Sequence, residues 1–183
     1  MQTVNYKLFE LSAGDKVLDL GCGEGELCAS IHSYCEYSGV DYSEEYLNFA
    51  KKKYGEQAGF YKVDLTNSSS CHKIKKLNKW DIIIGMGLIH HLDDQTVLRV
   101  KDIFFDNTDA IIFTVDPVFL EKQALLAKVV ISRDRGSFVR KLEHYKSLLK
   151  NYGIHLDNFC RFPYDHIVFF RNFDLKEYLA RLR

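Results

Sequence analysis

Three alternating glycines follow a short apolar segment near the start of the chain. Residues 17–25 read VLDLGCGEG, and Asp19 ends the apolar segment. The glycines that follow are Gly21, Gly23 and Gly25. Glycine allows a sharp turn and close approach to a ligand, and the next helix offers unpaired N–H groups. The dinucleotide fingerprint GxGxxG requires a glycine where this chain has Glu26. With Asp19 and Glu24 nearby, the loop favours a ligand with an ammonium or sulfonium charge over a phosphate.

A second acid, Asp41, ends the next apolar segment, in the sequence GVDYS. Parallel strands end at the same edge of a sheet, so this carboxylate is expected beside the glycine loop, where it can accept both hydroxyl protons of a ribose. Folds that bind NAD carry the same acid. Asp41 therefore predicts nucleoside binding without selecting the nucleoside.

Two adjacent histidines, His90 and His91, follow the fourth apolar segment in GMGLIHHLDD. The small residues Gly85 and Gly87 leave room for a ligand at this edge of the sheet. An imidazole with a pKa of about 6.5 can remove a hydroxyl proton at neutral pH. The alternative is that one or both rings form hydrogen bonds between helix and sheet. A metal site is disfavoured because no nearby Cys or carboxylate completes a ligand set.

Arginines gather in the segment 132–140, SRDRGSFVR. They are Arg133, Arg135 and Arg140. Guanidinium groups commonly hold carboxylate or phosphate, so this loop, together with residues 116–119, predicts a site for an anionic small substrate such as a nucleotide sugar. A solvated loop with local Arg–Asp pairs is the alternative.

The elements that position these residues alternate between short apolar segments and segments of helical period, which is typical of βα units feeding a parallel sheet. Strands are predicted at 16–20, 36–41, 59–63, 80–85 and 110–115. Helices are predicted at 4–11, 24–34, 43–54, 69–77, 93–105, 119–130 and 138–152, with Ser43 as an N-cap and Gly153 as a left-handed stop. Segments 154–161 and 166–172, joined by a turn at Pro163 and Tyr164, predict an antiparallel hairpin.

Composition indicates one ordinary globular domain covering residues 1–183. The chain is 46% hydrophobic, and its 25 basic and 25 acidic residues balance, which argues against a nucleic-acid binder. No apolar segment approaches the roughly 20 residues of a membrane helix, and no signal peptide is visible, so a cytoplasmic location is expected. The five cysteines form no CxxC pair and are interpreted as reduced thiols.

The segment 17–25 resembles the first motif, (V/I)LDxGxGxG, of class I S-adenosylmethionine-dependent methyltransferases of the small-molecule type. The resemblance implies an α/β fold: a doubly wound, seven-stranded, mostly parallel sheet with a C-terminal antiparallel hairpin and helices on both faces. It implies S-adenosylmethionine as cofactor and S-adenosylhomocysteine as product. Asp19 would approach the cofactor's amino group through water, Tyr42 would stack on the adenine and Asp64 would accept from the adenine amine. The full set of cofactor-binding residues implied is Asp19, Gly21, Cys22, Gly23, Asp41, Tyr42, Asp64, Leu65, Gly85 and Met86.

Two further segments resemble this family. The stretch at His90 and His91 is similar to an (L/I)HH(L/V)xD segment in which the residue matching His91 is the working histidine, and His90 is the second catalytic candidate. Residues 134–140, followed by Tyr145, resemble a DRGxFVR pattern of bacterial methyltransferases from surface-polysaccharide and natural-product pathways. Substrate contacts are therefore predicted at Arg133, Arg135, Arg140 and Tyr145.

The resulting prediction is a methyltransferase that acts on an oxygen or nitrogen of a small molecule without a metal ion. The first helix, with Tyr6 and Phe9, is short for a cover over the cofactor, so a partner subunit or homodimer is a candidate to complete it. Two alternatives stay open. One is a non-catalytic, cofactor-binding partner subunit, and the other is a nicotinamide-dependent dehydrogenase, which Glu26 and the hairpin disfavour.

Overall fold

The computed structural model describes residues 11–106, 108–133, 136–157, 165–172 and 174. The predicted first helix with Tyr6 and Phe9, the residues Arg135 and Cys160, and the turn at Pro163 and Tyr164 lie outside the described residues. The strands are β1 Lys16–Leu20, β2 Glu36–Asp41, β3 Gly59–Lys62, β4 Ile82–Met86, β5 Ile111–Phe119, β6 Arg140–Lys141, β7 Gly153–Asp157 and β8 His166–Arg171.

The strands form one mixed sheet in the order β3-β2-β1-β4-β5-β8-β7. Strands β1 to β5 are mutually parallel, whereas β8 runs antiparallel to both β5 and β7. This arrangement confirms the predicted fold class and the terminal hairpin. The sheet has one strand more than predicted, because the two residues of β6 pair with Val118 and Phe119 at the end of β5.

The helices are α1 Cys28–Ile31, α2 Glu44–Tyr54, α3 Ser68–Lys75, α4 Asp94–Val100, α5 Leu125–Ser132 and α6 Leu142–Leu148. A 3₁₀ turn spans Ile89–His91, and α4 continues as a π-helix over Lys101–Phe105. The predicted start of the helix 24–34 is wrong. Residues 24–27 form turns, in which Gly25 has a φ of 82°, so α1 begins only at Cys28.

Strand β5 is longer than predicted and includes residues 116–119, which the sequence analysis assigned to substrate recognition. Asp116 pairs with Ile167 of β8, and Val118 pairs with Arg140 of β6. Pro117 does not interrupt the strand, because it lies beyond the last pair with β4, that of Met86 with Val115.

The chain reversal before β7 uses Asn151, with a φ of 80°, and not Gly153 as predicted. Asparagine tolerates this left-handed conformation better than most residues. Gly153 instead begins β7 opposite Phe170. A Cβ atom at Gly153 would overlap the Phe170 ring, so glycine is required there by packing.

Apolar side chains fill both faces of the sheet. Alternate residues of β1 and β4 belong to two different clusters, as the two-residue period of a strand requires: Val17 and Ile82 to one, Leu18 and Ile83 to the other. Helices α1 and α2 cover the first cluster, whereas α3, α4 and α6 cover the second.

The four described cysteines are buried and form no disulfide bond. No helix among the described residues is long and apolar enough to cross a membrane.

Candidate functional site

A cavity of about 560 Å³ lies at the carboxyl edge of the parallel strands. It is bounded by the loops that follow β1, β2, β3 and β4, which is where ligands bind in open α/β sheets. Its lining consists of Gly21, Gly23, Val40, Asp41, Tyr42, Tyr46, Val63, Asp64, Leu65, Thr66, Gly87, Leu88, His91 and Leu92. The structure therefore brings together seven of the sequence-predicted site residues: Gly21, Gly23, Asp41, Tyr42, Asp64, Leu65 and His91.

Asp41 ties the glycine loop to the second strand. Its Oδ2 accepts a hydrogen bond of 3.0 Å from the backbone N–H of Gly23, and its Oδ1 accepts one of 2.8 Å from the N–H of Ser43. Each carboxylate oxygen has a second lone pair, so Asp41 can still accept hydroxyl protons from a ligand in the cavity. The acid thus shapes the site as well as lining it.

Gly21 closes the cavity against the loop after β4. Its φ is 75°, and a Cβ atom there would lie 2.9 Å from Cδ1 of Leu88. The backbone conformation favours glycine, and a larger residue would also force the Leu88 side chain to shift. The first glycine of the motif therefore allows the loops after β1 and β4 to meet at the cavity.

Aromatic and polar groups line the cavity beside β2 and β3. The Tyr42 side chain is 74% exposed, and Tyr46 of α2 lies near it on the cavity wall. Asp64 Oδ1 accepts hydrogen bonds from both the backbone N–H and the hydroxyl of Thr66, at 2.8 and 2.7 Å. These bonds hold the pKa of Asp64 below its usual value, so the group is a carboxylate acceptor at neutral pH.

Asp19 and Cys22, both predicted to contact the cofactor, are buried and are not part of the cavity lining. Asp19 is 2% exposed, and its Oδ2 accepts a hydrogen bond from the hydroxyl of Tyr37. Burial raises the pKa of Asp19 to about 7, with a smaller contribution from the nearby Asp41, although the Tyr37 bond opposes the shift. Burial likewise raises the pKa of the Cys22 thiol, which packs against Gly39.

The predicted cofactor contacts Gly85 and Met86 are also absent from the cavity lining, which includes Gly87 and Leu88 instead. The lining residues lie two positions later than predicted because β4 continues through Met86, whereas the predicted strand ends at residue 85. Other lining residues that the prediction omitted come from positions next to predicted ones: Val40, Val63, Thr66 and Leu92. Tyr46, on α2, could have been found as the aromatic one helical turn after Tyr42.

The two histidines point to different surroundings. His91 lines the cavity, whereas His90 is 5% exposed and lies outside the lining. Asp116 Oδ1 lies 2.8 Å from His90 Nδ1 and accepts a 3.0 Å hydrogen bond from its backbone N–H. The two rings are in contact, with centroids 4.1 Å apart and planes inclined by 40°. His90, predicted as a second catalytic residue, is therefore buried against Asp116 and does not line the cavity.

Arg140, predicted to contact the substrate, is buried in the structure. Its side chain is 4% exposed and donates to Asp94 Oδ1 and to three carbonyl oxygens, those of Ile89, Phe138 and Leu92. Almost no guanidinium surface remains for a substrate anion. Tyr145 was predicted to bind the same substrate but is fully buried.

The Tyr145 hydroxyl donates to the carbonyl of Pro117 at 3.2 Å, beneath the surface. Arg133 is exposed at the end of α5 and is not part of the cavity lining. Of the predicted substrate contacts, the structure therefore places no described residue at the cavity. Within the described ranges, no three His, Cys, Asp or Glu side chains are grouped so that they could hold a metal ion.

The family of methyltransferase domains matches residues 17–104, the part of the chain that contains the glycine loop, Asp41, Asp64 and the histidine turn. This match and the sheet topology support a class I methyltransferase domain. S-adenosylmethionine is the methyl donor of that family. No curated protein sequence matches the chain.

Solved methyltransferase structures share its fold. Human N-acetylserotonin methyltransferase in complex with S-adenosylmethionine aligns with a TM-score of 0.64 at 21% identity, over 91% of this chain and 50% of that one. The DhpI–SAM–HEP complex aligns with a TM-score of 0.63 at 14% identity, over 86% and 78%. The mitomycin 7-O-methyltransferase MmcR aligns with a TM-score of 0.65 at 16% identity, over 86% and 48%. This chain thus spans about half the length of the human enzyme and of MmcR.

Proposed function

We propose that this chain binds S-adenosylmethionine in the cavity and transfers its methyl group to an oxygen or nitrogen of a small molecule. The observation that carries the proposal is the juxtaposition, around one cavity, of the glycine loop, two carboxylates from neighbouring strand ends and a histidine. The sulfonium of the cofactor supplies an already activated methyl group. The protein then contributes chiefly by positioning the reactants and excluding water.

The residues present fit this cofactor. The backbone at Gly21 and Gly23 allows close approach of the methionine and ribose portion, and Asp41 is placed to accept the ribose hydroxyl protons. The Asp64 carboxylate suits the adenine amine, while Tyr42 and Tyr46 offer aromatic faces. These assignments follow from the chemistry of the lining residues and from the resemblance of the glycine motif.

We assign to His91 the removal of a proton from the methyl acceptor. His91 is the one ionisable side chain of the described cavity lining that comes from the loop after β4, and a neutral imidazole there can remove the proton of a hydroxyl nucleophile. Neighbouring structures named for N-acetylserotonin and mitomycin support a small-molecule acceptor. The burial of Arg140 weakens the argument for an anionic acceptor, which rested on three arginines.

Cofactor binding tests the first part of the proposal. In calorimetric titrations we expect S-adenosylmethionine and S-adenosylhomocysteine to bind, and NAD not to bind. Tyr42→Ala should weaken both by roughly threefold to tenfold, the usual value of an aromatic contact. Phe49→Ala is the matched control, since Phe49 is also an exposed aromatic, 61% accessible, but lies outside the cavity lining. Equal binding by the two variants, or binding of NAD alone, would contradict the proposed site.

Methyl transfer tests the second part. The purified chain with labelled S-adenosylmethionine should methylate some member of a panel of phenols, sugars and amines. His91→Ala should bind cofactor normally and lose most turnover on hydroxyl acceptors. Cofactor binding without turnover on any acceptor would favour the alternative of a non-catalytic partner subunit.

A further inference from the structure

The segment 136–140 lies directly on the turn that carries His91. The backbone N–H of Phe138 donates a 3.0 Å hydrogen bond to the carbonyl of His90. At Gly136, a Cβ atom would overlap the ring of His90 and lie 2.7 Å from its carbonyl oxygen. Only glycine allows the segment to approach the turn this closely.

Arg140 holds the same turn from β6. Its Nη1 donates to the carbonyl of Ile89 at 3.1 Å, and its Nη2 donates to that of Leu92 at 2.6 Å. Its Nε donates to Asp94, the first residue of α4. One buried guanidinium therefore connects both ends of the histidine turn to the following helix.

Asp116 holds the turn from β5. This carboxylate is fully buried, and its Oδ1 contacts both the backbone N–H and the ring Nδ1 of His90. The ring of His90 in turn contacts that of His91, with centroids 4.1 Å apart. The backbone and the inner histidine are thus held on several sides, while His91 faces the cavity.

Burying an aspartate and an arginine is costly, because both lose their hydration. That cost is understandable if the geometry of the turn matters to the site. We propose that Asp116, Gly136 and Arg140 are positioning residues that hold His91 at the cavity wall. The glycine and second arginine of the DRGxFVR pattern then serve the histidine turn and not the charge of a substrate. This inference rests on the proposed function, in which His91 faces the methyl acceptor.

Imidazole NMR signals report the position of His91 without a known acceptor. We would record nitrogen–proton correlation spectra of the ¹⁵N-labelled full chain saturated with S-adenosylhomocysteine, with the His91 signals assigned by their loss in His91→Asn. Gly136→Ala should shift the signals of His90 and His91 while cofactor affinity changes only a few-fold. Gly14→Ala is the matched control, since a Cβ atom there meets nothing within 4 Å, and its histidine signals should match those of the wild type.

Two substitutions of Arg140 cover the case in which Gly136→Ala does not fold. Arg140→Met keeps the length of the apolar stem but removes every donor, and Arg140→Lys keeps the charge while losing the guanidinium geometry. A shift of the His91 signals in whichever of these variants folds supports the proposal. Unchanged His91 signals in folded, cofactor-bound variants would overturn it. Failure of the wild type to bind S-adenosylhomocysteine would instead count against the proposed function and would be seen before any variant is made.

Discussion

Asp41 and Asp19 show how two acids of one site can have opposite surroundings. Asp41 reaches the cavity and accepts backbone hydrogen bonds from Gly23 and Ser43. Asp19 is buried, and its carboxylate accepts a hydrogen bond from the hydroxyl of Tyr37. The first acid is therefore suited to a ligand, whereas the second supports the loop from within.

The raised pKa of Asp19 predicts a specific pH dependence of stability. Its pKa rises from 3.8 to about 7 on folding, so the folded state holds this proton more tightly. Between these values the unfolded chain binds fewer protons, and stability falls as the pH rises, by up to ~4 kcal/mol from this group. Asp19→Asn should remove that contribution.

Urea unfolding at about pH 5 and about pH 8 measures this effect, since the two values bracket the raised pKa. The drop in unfolding free energy from about pH 5 to about pH 8 should be smaller in Asp19→Asn than in the wild type. The two proteins share all other titrating groups, so the difference reports Asp19. Identical drops in the two proteins would show that Asp19 is ionised throughout.

Gly21 is the second residue whose environment makes a prediction. Gly21→Ala places a methyl group in a backbone conformation with φ of 75° and against Leu88. The left-handed conformation alone costs about 1–2 kcal/mol, and displacement of Leu88 adds to it. Chemical denaturation should show this loss together with weaker S-adenosylhomocysteine binding. Gly14→Ala, which meets no neighbour, should change neither quantity.

Helix α2 places Tyr46 at the cavity, and its start is defined by Ser43. The Ser43 side chain accepts a 3.3 Å hydrogen bond from the N–H of Tyr46, as the sequence analysis predicted for an N-cap. Other element boundaries were less predictable. Residues 24–27 were predicted to begin a helix, but they form turns that complete the glycine loop. Strand β6 consists of two residues, and its pairing with β5 is a long-range contact.

Ser43→Ala should therefore destabilise the fold by about 1 kcal/mol, the usual cost of losing an N-cap side chain. Ser43→Thr keeps the hydroxyl and should restore most of the loss. Thermal unfolding followed by circular dichroism compares the three proteins. Equal stability of the alanine and threonine variants would show that the cap contributes little to α2.

On the scale of the whole molecule, the cavity is assembled from four loops at one edge of the sheet. They follow β1, β2, β3 and β4, and the strand order changes direction between β1 and β4. A ligand there contacts loops from distant parts of the chain. Ligand binding should consequently stabilise the fold as a unit.

S-adenosylhomocysteine should raise the melting temperature of the wild type in a concentration-dependent way. At a hundredfold excess over its dissociation constant, binding to the folded state adds about 2.7 kcal/mol. Asp41→Asn should show a smaller rise, because an amide group cannot accept hydrogen bonds at both of its atoms as the carboxylate does. A rise of the same size in wild type and Asp41→Asn would argue that Asp41 supports only the loop.

The sequence by itself determined the class of fold, the glycine loop and the acids at the strand ends. Each of these depends on local chemistry: apolar periodicity makes strands, and glycine makes the turn at Gly21. Because parallel strands end at a common edge, Asp41, Asp64 and His91 could be expected together from their positions in the chain alone.

Only the tertiary structure decided which residues reach the cavity. His90 and His91 are neighbours in sequence, yet Asp116 from β5 holds one ring inside while the other faces the cavity. Arg140, chosen as a substrate contact, is buried because three carbonyl oxygens and Asp94 surround it. These outcomes depend on contacts between residues far apart in the chain, and burial of a charge is set by such contacts and not by the residue's own type.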